Sequence, residues 1–230
     1  MQNIKLDSRL MAVASMVRQN SRLADIGTDH AYIPVYLINE GVISEAIAAD
    51  INEGPLKNAD KNIASYGLSD KIKTILSDGL RKLPENCADD IIIAGMGGIL
   101  ISEILESCSW IKTKNIRIIA QPMTHAEILR KFLCNNGFEI KKEVASTDGK
   151  RIYCALAAEF TGKKSEQDES YYYLGELTKN NDEITKKYIE KLIFTLDKKL
   201  QAQQNAGVSE SEALRRVLDV IKLKAKQVNL

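Results

Sequence analysis

The sequence predicts an α/β fold: a mostly parallel, Rossmann-like sheet of seven strands covered by helices, followed by a purely helical appendage. Three observations predict it. Between residues 21 and about 160, short β-rich runs alternate with helical patterns, the mark of strands joined by crossover helices. Asp148-Gly149 stands between two strand-like runs and reads as a hairpin turn, so the sheet should finish with an antiparallel strand. After residue 160 the strand-like runs stop. Two domains are therefore expected, 1–160 and 161–230.

The elements follow in order. Leu6 to Val17 carries apolar residues at 10, 13, 14 and 17, the spacing of a helix that caps the domain. Strands are expected at 21–26, 45–50, 72–76, 90–94, 116–120, 138–146 and 151–159, with helices near 31–40, 53–66, 98–107 and 124–136. Pro34 in the first turn of the first of these helices lacks an N–H that has no partner there anyway, and Gly137 suits the residue after the last. Thr161 to Ser170 is polar and reads as a linker. Beyond it, Leu177, Ile184, Tyr188, Leu192, Leu196 and Leu200 mark one helical stripe, and Leu214, Val217, Leu218, Ile221 and Leu223 mark another. The segment 203–208 separates them, so two antiparallel helices packed like a short coiled coil are expected.

Composition narrows the function classes. A hydrophobic content of 44% in 230 residues supports a true core, and a net charge of +1 announces no polyanionic partner by itself. From residue 170 on, eleven Lys/Arg face eight Asp/Glu, a slight excess that fits a solvated helix face or one that touches RNA. No apolar run approaches the roughly 20 residues of a membrane helix, and the start, Met1 to Asp7, lacks an apolar signal core. A cytoplasmic protein is expected. Cys87, Cys108, Cys134 and Cys154 are far apart with no Cys-x-x-Cys pair, which suits reduced core thiols, with neither a metal site nor a disulfide.

The chemistry concentrates in Asp25-Ile-Gly-Thr-Asp-His30, a strand that runs into a tight glycine turn before a helix. Such a turn exposes backbone N–H groups to a ligand. A dinucleotide fingerprint needs Gly-x-Gly-x-x-Gly, yet the positions after Gly27 are Asp29 and Tyr32. A carboxylate in the place of a pyrophosphate repels it, so the loop disfavours NAD or FAD and favours a phosphate-free nucleoside cofactor, S-adenosyl-L-methionine. Asp25, Asp50 and Asp78 are placed to end three strands on one edge of the sheet. Asp50, followed by Ile51, is a candidate for the ribose hydroxyls, Asp78-Gly79 for the adenine, and Asp25 with Gly27 and Thr28 for the methionine end. Ala94-Gly95-Met96-Gly97-Gly98 reads either as a flexible turn or as a slot between cofactor and substrate with Met96 as its apolar wall.

Asp25-Ile-Gly-Thr-Asp-His-Ala-Tyr-Ile-Pro34, together with Ala94-Gly-Met-Gly-Gly98 and Gln121-Pro122, resembles the bacterial tRNA (adenine-22, N1)-methyltransferase family. The resemblance spans nearly the whole chain, from Lys5-Leu-Asp-Ser-Arg-Leu10 to the helical tail. It departs at Thr28, where the family usually has Ser, and at Met123, where Asn is common. What it implies is a seven-stranded class I methyltransferase domain that acts on tRNA. Asp29 is then the candidate catalytic carboxylate, receiving the exocyclic amine of the target adenine and stabilising the ring charge that develops. His30 is its catalytic neighbour, and Tyr32, Arg9 and Gln121 are candidates for substrate contact. Asp29 can instead cap the 31–40 helix, and His30 and Tyr32 can be structural. Arg9, Arg22, Lys57 and Lys61 are expected near the crevice, holding phosphates. A methyltransferase of a small molecule or protein, and a non-catalytic RNA-binding protein, are the alternatives.

Overall fold

The computed structural model describes residues 4–113, 115–206 and 211–227. Its centre is a seven-stranded sheet in the order β3-β2-β1-β4-β5-β7-β6. The strands are β1 (Leu23–Ile26), β2 (Ala46–Asp50), β3 (Ile72–Leu76), β4 (Asp90–Met96), β5 (Arg117–Pro122), β6 (Phe138–Asp148) and β7 (Arg151–Phe160). The first five are parallel, while β7 runs antiparallel to both β5 and β6, as the Asp148-Gly149 hairpin requires. Strand order reverses between β1 and β4, and a ligand crevice forms beyond the carboxyl ends of strands at such a point.

The helices α1 (Ser8–Ala14), α2 (Tyr32–Asn39), α3 (Glu53–Ser65), α4 (Gly98–Glu106) and α5 (Ala126–Asn135) cover the sheet. Ile91, Ile93 and Ile118 point to the α4–α5 side, while Ile92, Ile119 and Ala48 point to the α1–α2–α3 side. Alternate residues of one strand thus serve two cores, which is why the parallel strands read as unbroken apolar runs. The first helix is shorter than its apolar spacing suggests, because Ser15 ends it and the chain turns toward β1.

The tail comprises α6 (Glu169–Leu174), a 3₁₀ turn (Gly175–Lys179), α7 (Glu183–Asn205) and α8 (Ser211–Gln227). Three expectations are corrected here. Thr161–Ser170 is not wholly a linker, since Asp168 caps α6 and Ser170 is buried. Leu177 lies in the 3₁₀ turn, apart from the helix bearing the rest of its stripe. On α8, Leu218, Ile221 and Ala225 face α7 and Leu223 faces outward, contrary to its assigned stripe. The 207–208 end of the segment between the stripes lies outside the described residues. All four cysteines are free thiols, and no described helix is long and apolar enough to cross a membrane.

A fully buried ion pair fastens the tail to the sheet. Arg130 of α5 donates from Nε to Glu143 of β6 (2.9 Å) and from Nη1 to the Tyr172 and Tyr173 carbonyls (2.8 and 2.9 Å). Glu143 in turn accepts from the Glu176 N–H (2.6 Å). Gly175 passes over this pair with φ +56°, and a Cβ there would stand 1.7 Å from a Glu143 oxygen.

Candidate active site

The site starts at the end of β1. Asp25 is buried, and its Oδ2 accepts from the Thr28 hydroxyl at 2.7 Å. Burial pushes its carboxyl up to about 6, the Thr28 hydroxyl pulls it back, and the Asp50 charge adds to the rise. Gly27 turns the chain with φ +77° beneath the Met96 side chain, and its N–H and that of Thr28 both donate to the Ala49 carbonyl (2.8 and 3.0 Å). The expectation of exposed turn donors is narrowed: the Gly27 and Thr28 N–H groups are occupied by β2, so neither is available to a ligand.

Asp50 ends β2, buried, with Oδ1 accepting from the Asn52 N–H at 2.8 Å, which leaves its second oxygen as an acceptor. Ile51 beside it is exposed. Only Asp50 strictly ends a strand: Asp25 is one residue short of the end of β1, and Asp78 lies two residues beyond β3. Asp78 is exposed and paired with Arg81 at 2.8 Å. The turn that carries Asp78 and Gly79 is shaped by Ser77, whose hydroxyl donates to the Gly79 carbonyl (2.8 Å) and whose N–H meets the Asp50 carbonyl (2.8 Å). Ser77 escaped the sequence reading, being one more polar residue before an Asp-Gly.

β4 breaks register with β5 between Ala94 and Met96, and there Gly95, at φ +79°, donates its N–H to Gln121 Oε1 (3.2 Å). Gln121 also accepts from Arg9 Nη1 at 3.0 Å and is fully buried. It therefore stands behind the cleft as a strut between α1 and β4, rather than in substrate contact as expected. Gly97 precedes α4, and Gly98 permits a close approach: a Cβ there would lie 2.2 Å from the His125 carbonyl oxygen. The glycine run thus serves tight packing of β4 on the loop after β5 as well as opening the edge.

A cleft of about 360 Å³ opens beside the Gly27 turn, lined among others by Asp25, Thr28, Asp29, His30, Tyr32, Arg9 and Gly95, while Asp50, Ile51, Asp78, Gly79, Met96 and Gly97 stand outside its lining. Asp29 is 72% exposed, with His30 Nε2 at 3.4 Å. It does not cap α2, whose preceding residue is Ala31 in the left-handed region with no side-chain cap. The His30 and Tyr32 rings stack at 5.0 Å and 17°, and both are open to solvent rather than core. Arg9 reaches the cleft from α1, and its Nε is buried without a partner. Asp7, which caps α1 through the Leu10 N–H at 2.7 Å, joins the lining; the spacing from Asp7 to Leu10 is a capping signal that could have revealed it. Arg22 is a correction. It precedes β1 at the opposite edge of the sheet and pairs with Asp89 at 2.8 Å. Lys57 pairs with Glu53 on α3, and Lys61, two turns into the same helix, is exposed.

Comparisons give this geometry its relatives. A methyltransferase-domain model matches residues 6–156. The tRNA (adenine(22)-N(1))-methyltransferase of Bacillus subtilis is 32% identical over 230 residues, 97% of each chain. This chain belongs to the tRNA (adenine(22)-N(1))-methyltransferase family. Among solved structures, a Streptococcus pneumoniae protein in complex with S-adenosyl-L-methionine matches with TM-score 0.82 at 33% identity, over 96% of this chain and 100% of that one. The M. capricolum family member in complex with S-adenosyl-homocysteine matches with TM-score 0.78 at 31% identity, over 94% and 99%. The likeness extends through the helical tail as well as the sheet.

The residues present fit such a cofactor. Two buried carboxylates with spare acceptor oxygens suit hydroxyls and positive charge, and an acid, Asp29, stands where a dinucleotide's pyrophosphate would lie.

Proposed function

We propose that this protein transfers a methyl group from S-adenosyl-L-methionine to N1 of the adenine at position 22 of tRNA, in the cytoplasm. The family supports the reaction. The observation that carries it is the contrast between two acids four residues apart: Asp25 is buried at the strand end, while Asp29 stands open in the cleft beside a stacked His30–Tyr32 pair.

S-adenosyl-L-methionine, when bound, supplies the methyl group. Asp25 with Gly27 and Thr28 holds its methionine end, Asp50 and Ile51 its ribose, and the Asp78-Gly79 turn its adenine, with Gly95, Met96 and Gly97 forming the wall toward the substrate. Adenine N1 carries a free lone pair once the base leaves its partner, so the enzyme needs positioning more than a strong base. Asp29 accepts a hydrogen bond from the exocyclic amine, enriches N1 and stabilises the cationic ring that methylation leaves. His30 orients Asp29, and Tyr32 presents a flat surface to the base. Drawing the base out of its stack costs a few kcal/mol, on the order of one stacking and pairing step. Arg9 at the cleft and the helical domain 161–230 offset this by holding the RNA, while 1–160 carries the chemistry.

The test is incubation of the purified protein with unmodified tRNA and labelled cofactor, followed by digestion to nucleosides. The expected product is 1-methyladenosine, lost when adenine 22 is replaced. Label in a protein or small molecule with tRNA blank would overturn the assignment.

A further inference from the structure

A second cleft, of about 170 Å³, lies between the loop after β5 and α7, with Met123, His125, Tyr188, Lys191 and Thr195 in its lining. The same loop continues from Gln121, which holds Gly95 and Arg9 behind the active-site cleft. From this cleft a distinct face of α7 extends outward. Lys187, Lys191, Phe194 and Lys198 recur at helical spacing and so share one side of the helix. The opposite side, with Ile189, Leu196 and Leu200, is already packed on α8.

Phe194 is 59% exposed, a large aromatic ring held in water on a helix whose apolar surface is otherwise covered. The Lys198 ammonium sits over the ring at 4.5 Å from its centroid. Ion pairs on this helix engage Lys186 with Glu183 and Asp197 with Lys222, leaving Lys187, Lys191 and Lys198 outside any ion pair among the described residues. Lys187, Lys191 and Lys198 around an open aromatic ring, with Glu190 as the acid beside them, leave a net positive face of the kind that binds nucleic-acid strands: cations for phosphates, a ring for a base.

We propose that this face of α7 is the docking strip for the nucleotides that flank the target adenosine, with the lysines on phosphates and Phe194 stacked on an unpaired base. The assignment rests on tRNA as the substrate. It explains how the tail, which adds no residue to the lining of the catalytic cleft, contributes to holding an extruded base: α7 meets the loop after β5, and β5 carries Gln121 behind that cleft.

The experiment uses the full-length protein and variants F194A, F194W and the triple K187A/K191A/K198A, titrated with tRNA at several salt concentrations. F194A is expected to weaken tRNA binding roughly 5- to 150-fold at unchanged salt slope, with F194W restoring it, since stacking is tolerant of ring type. The triple variant is expected to flatten the dependence of log K on log salt by about two to three, one phosphate per lysine. All variants should keep the wild-type melting temperature and affinity for S-adenosyl-homocysteine. Wild-type tRNA affinity and slope in both F194A and the triple variant would overturn the inference while leaving methyl transfer by the wild type intact. A wild type that neither binds nor methylates tRNA would overturn the function itself. A dimer that F194A dissolves, with tRNA affinity retained, would make the strip a self-association face instead.

Discussion

The turn after β1 and the junction around Arg130 are both built from charged side chains next to a glycine in the left-handed region, and they treat their polar atoms in opposite ways. At the junction Arg130 and Glu143 are fully buried, and Tyr172, Tyr173 and Glu176 supply backbone partners to both. At the turn Asp29 has only His30 at 3.4 Å, and Arg9 Nε is enclosed with no acceptor. Folded proteins satisfy nearly all buried polar groups, so Arg9 Nε in the cleft wall is left for solvent or a ligand to satisfy, while Asp29 is exposed and already solvated. The difference teaches that charged groups closed off by protein partners serve the fold, while those left open on a cleft stay available to a ligand.

The largest expected effect tests the closed region. Arg130→Ala leaves Glu143 buried without its partner and should lower unfolding free energy by about 3–5 kcal/mol, read by calorimetry. Gly175→Ala should act the same way through its clash with Glu143. Neither should change cofactor affinity of the protein that remains folded. Should either abolish cofactor binding in a fully folded sample, the two regions would be coupled and the comparison broken.

Next comes the open region. Asp29→Asn should reduce the rate of methyl transfer by about 10²–10³-fold, the size seen on removing one preorganised group beside developing charge. Its melting temperature and S-adenosyl-homocysteine affinity should stay at wild-type values, because Asp29 supports nothing else. A loss of fold or of cofactor binding in place of rate would assign it to structure.

Asp25 is intermediate, buried like the junction and yet lining the cleft. Its carboxyl is pushed up to about 6, so the folded state prefers the protonated acid. The ionised form therefore costs stability above pH 6, and that cost shrinks as pH falls from about 6 toward the ordinary carboxylate range. Asp25→Asn should stabilise the cofactor-free protein at pH 8 by up to about 3 kcal/mol and leave it unchanged near pH 4. Cofactor affinity should fall in the wild type below about pH 6, as the acid loses its charge, and show no such step in the variant. The smallest effect belongs to Arg22→Ala: its exposed pair with Asp89 should be worth less than about 1 kcal/mol, with tRNA binding untouched.

Much of this was readable before any coordinates, and the reasons differ by element. The strand boundaries in the sheet follow from apolar runs cut by turn residues, and Asp50 and the Gly27 turn follow from those boundaries. Gln121 was not readable as a strut, because its partners Arg9 and Gly95 lie 112 and 26 positions away and only tertiary packing brings them together. Arg22 was misplaced because a basic residue next to a motif in sequence can stand at the other edge of the sheet, one strand length away. Leu177 fits the helical period of its neighbours, yet the Arg130–Glu143 contact at Gly175 ends α6 and throws the chain into a 3₁₀ turn. Phe194 falls off the stripe of Tyr188, Leu192, Leu196 and Leu200, a signal of exposure that is easily passed over because apolar residues on amphipathic helices are expected inside.

The wall of the cleft contributed by α1 has a consequence for synthesis on the ribosome. Ser8 is tied to the Thr147 carbonyl across 139 positions and Arg9 to Gln121 across 112. A nascent chain that has emerged only through β4 already owns the acidic turn, but its first helix still lacks the β5, β6 and β7 strands on which most of its packing falls. Catalytic competence therefore arrives late in translation, when the closing hairpin captures a segment made at the very beginning.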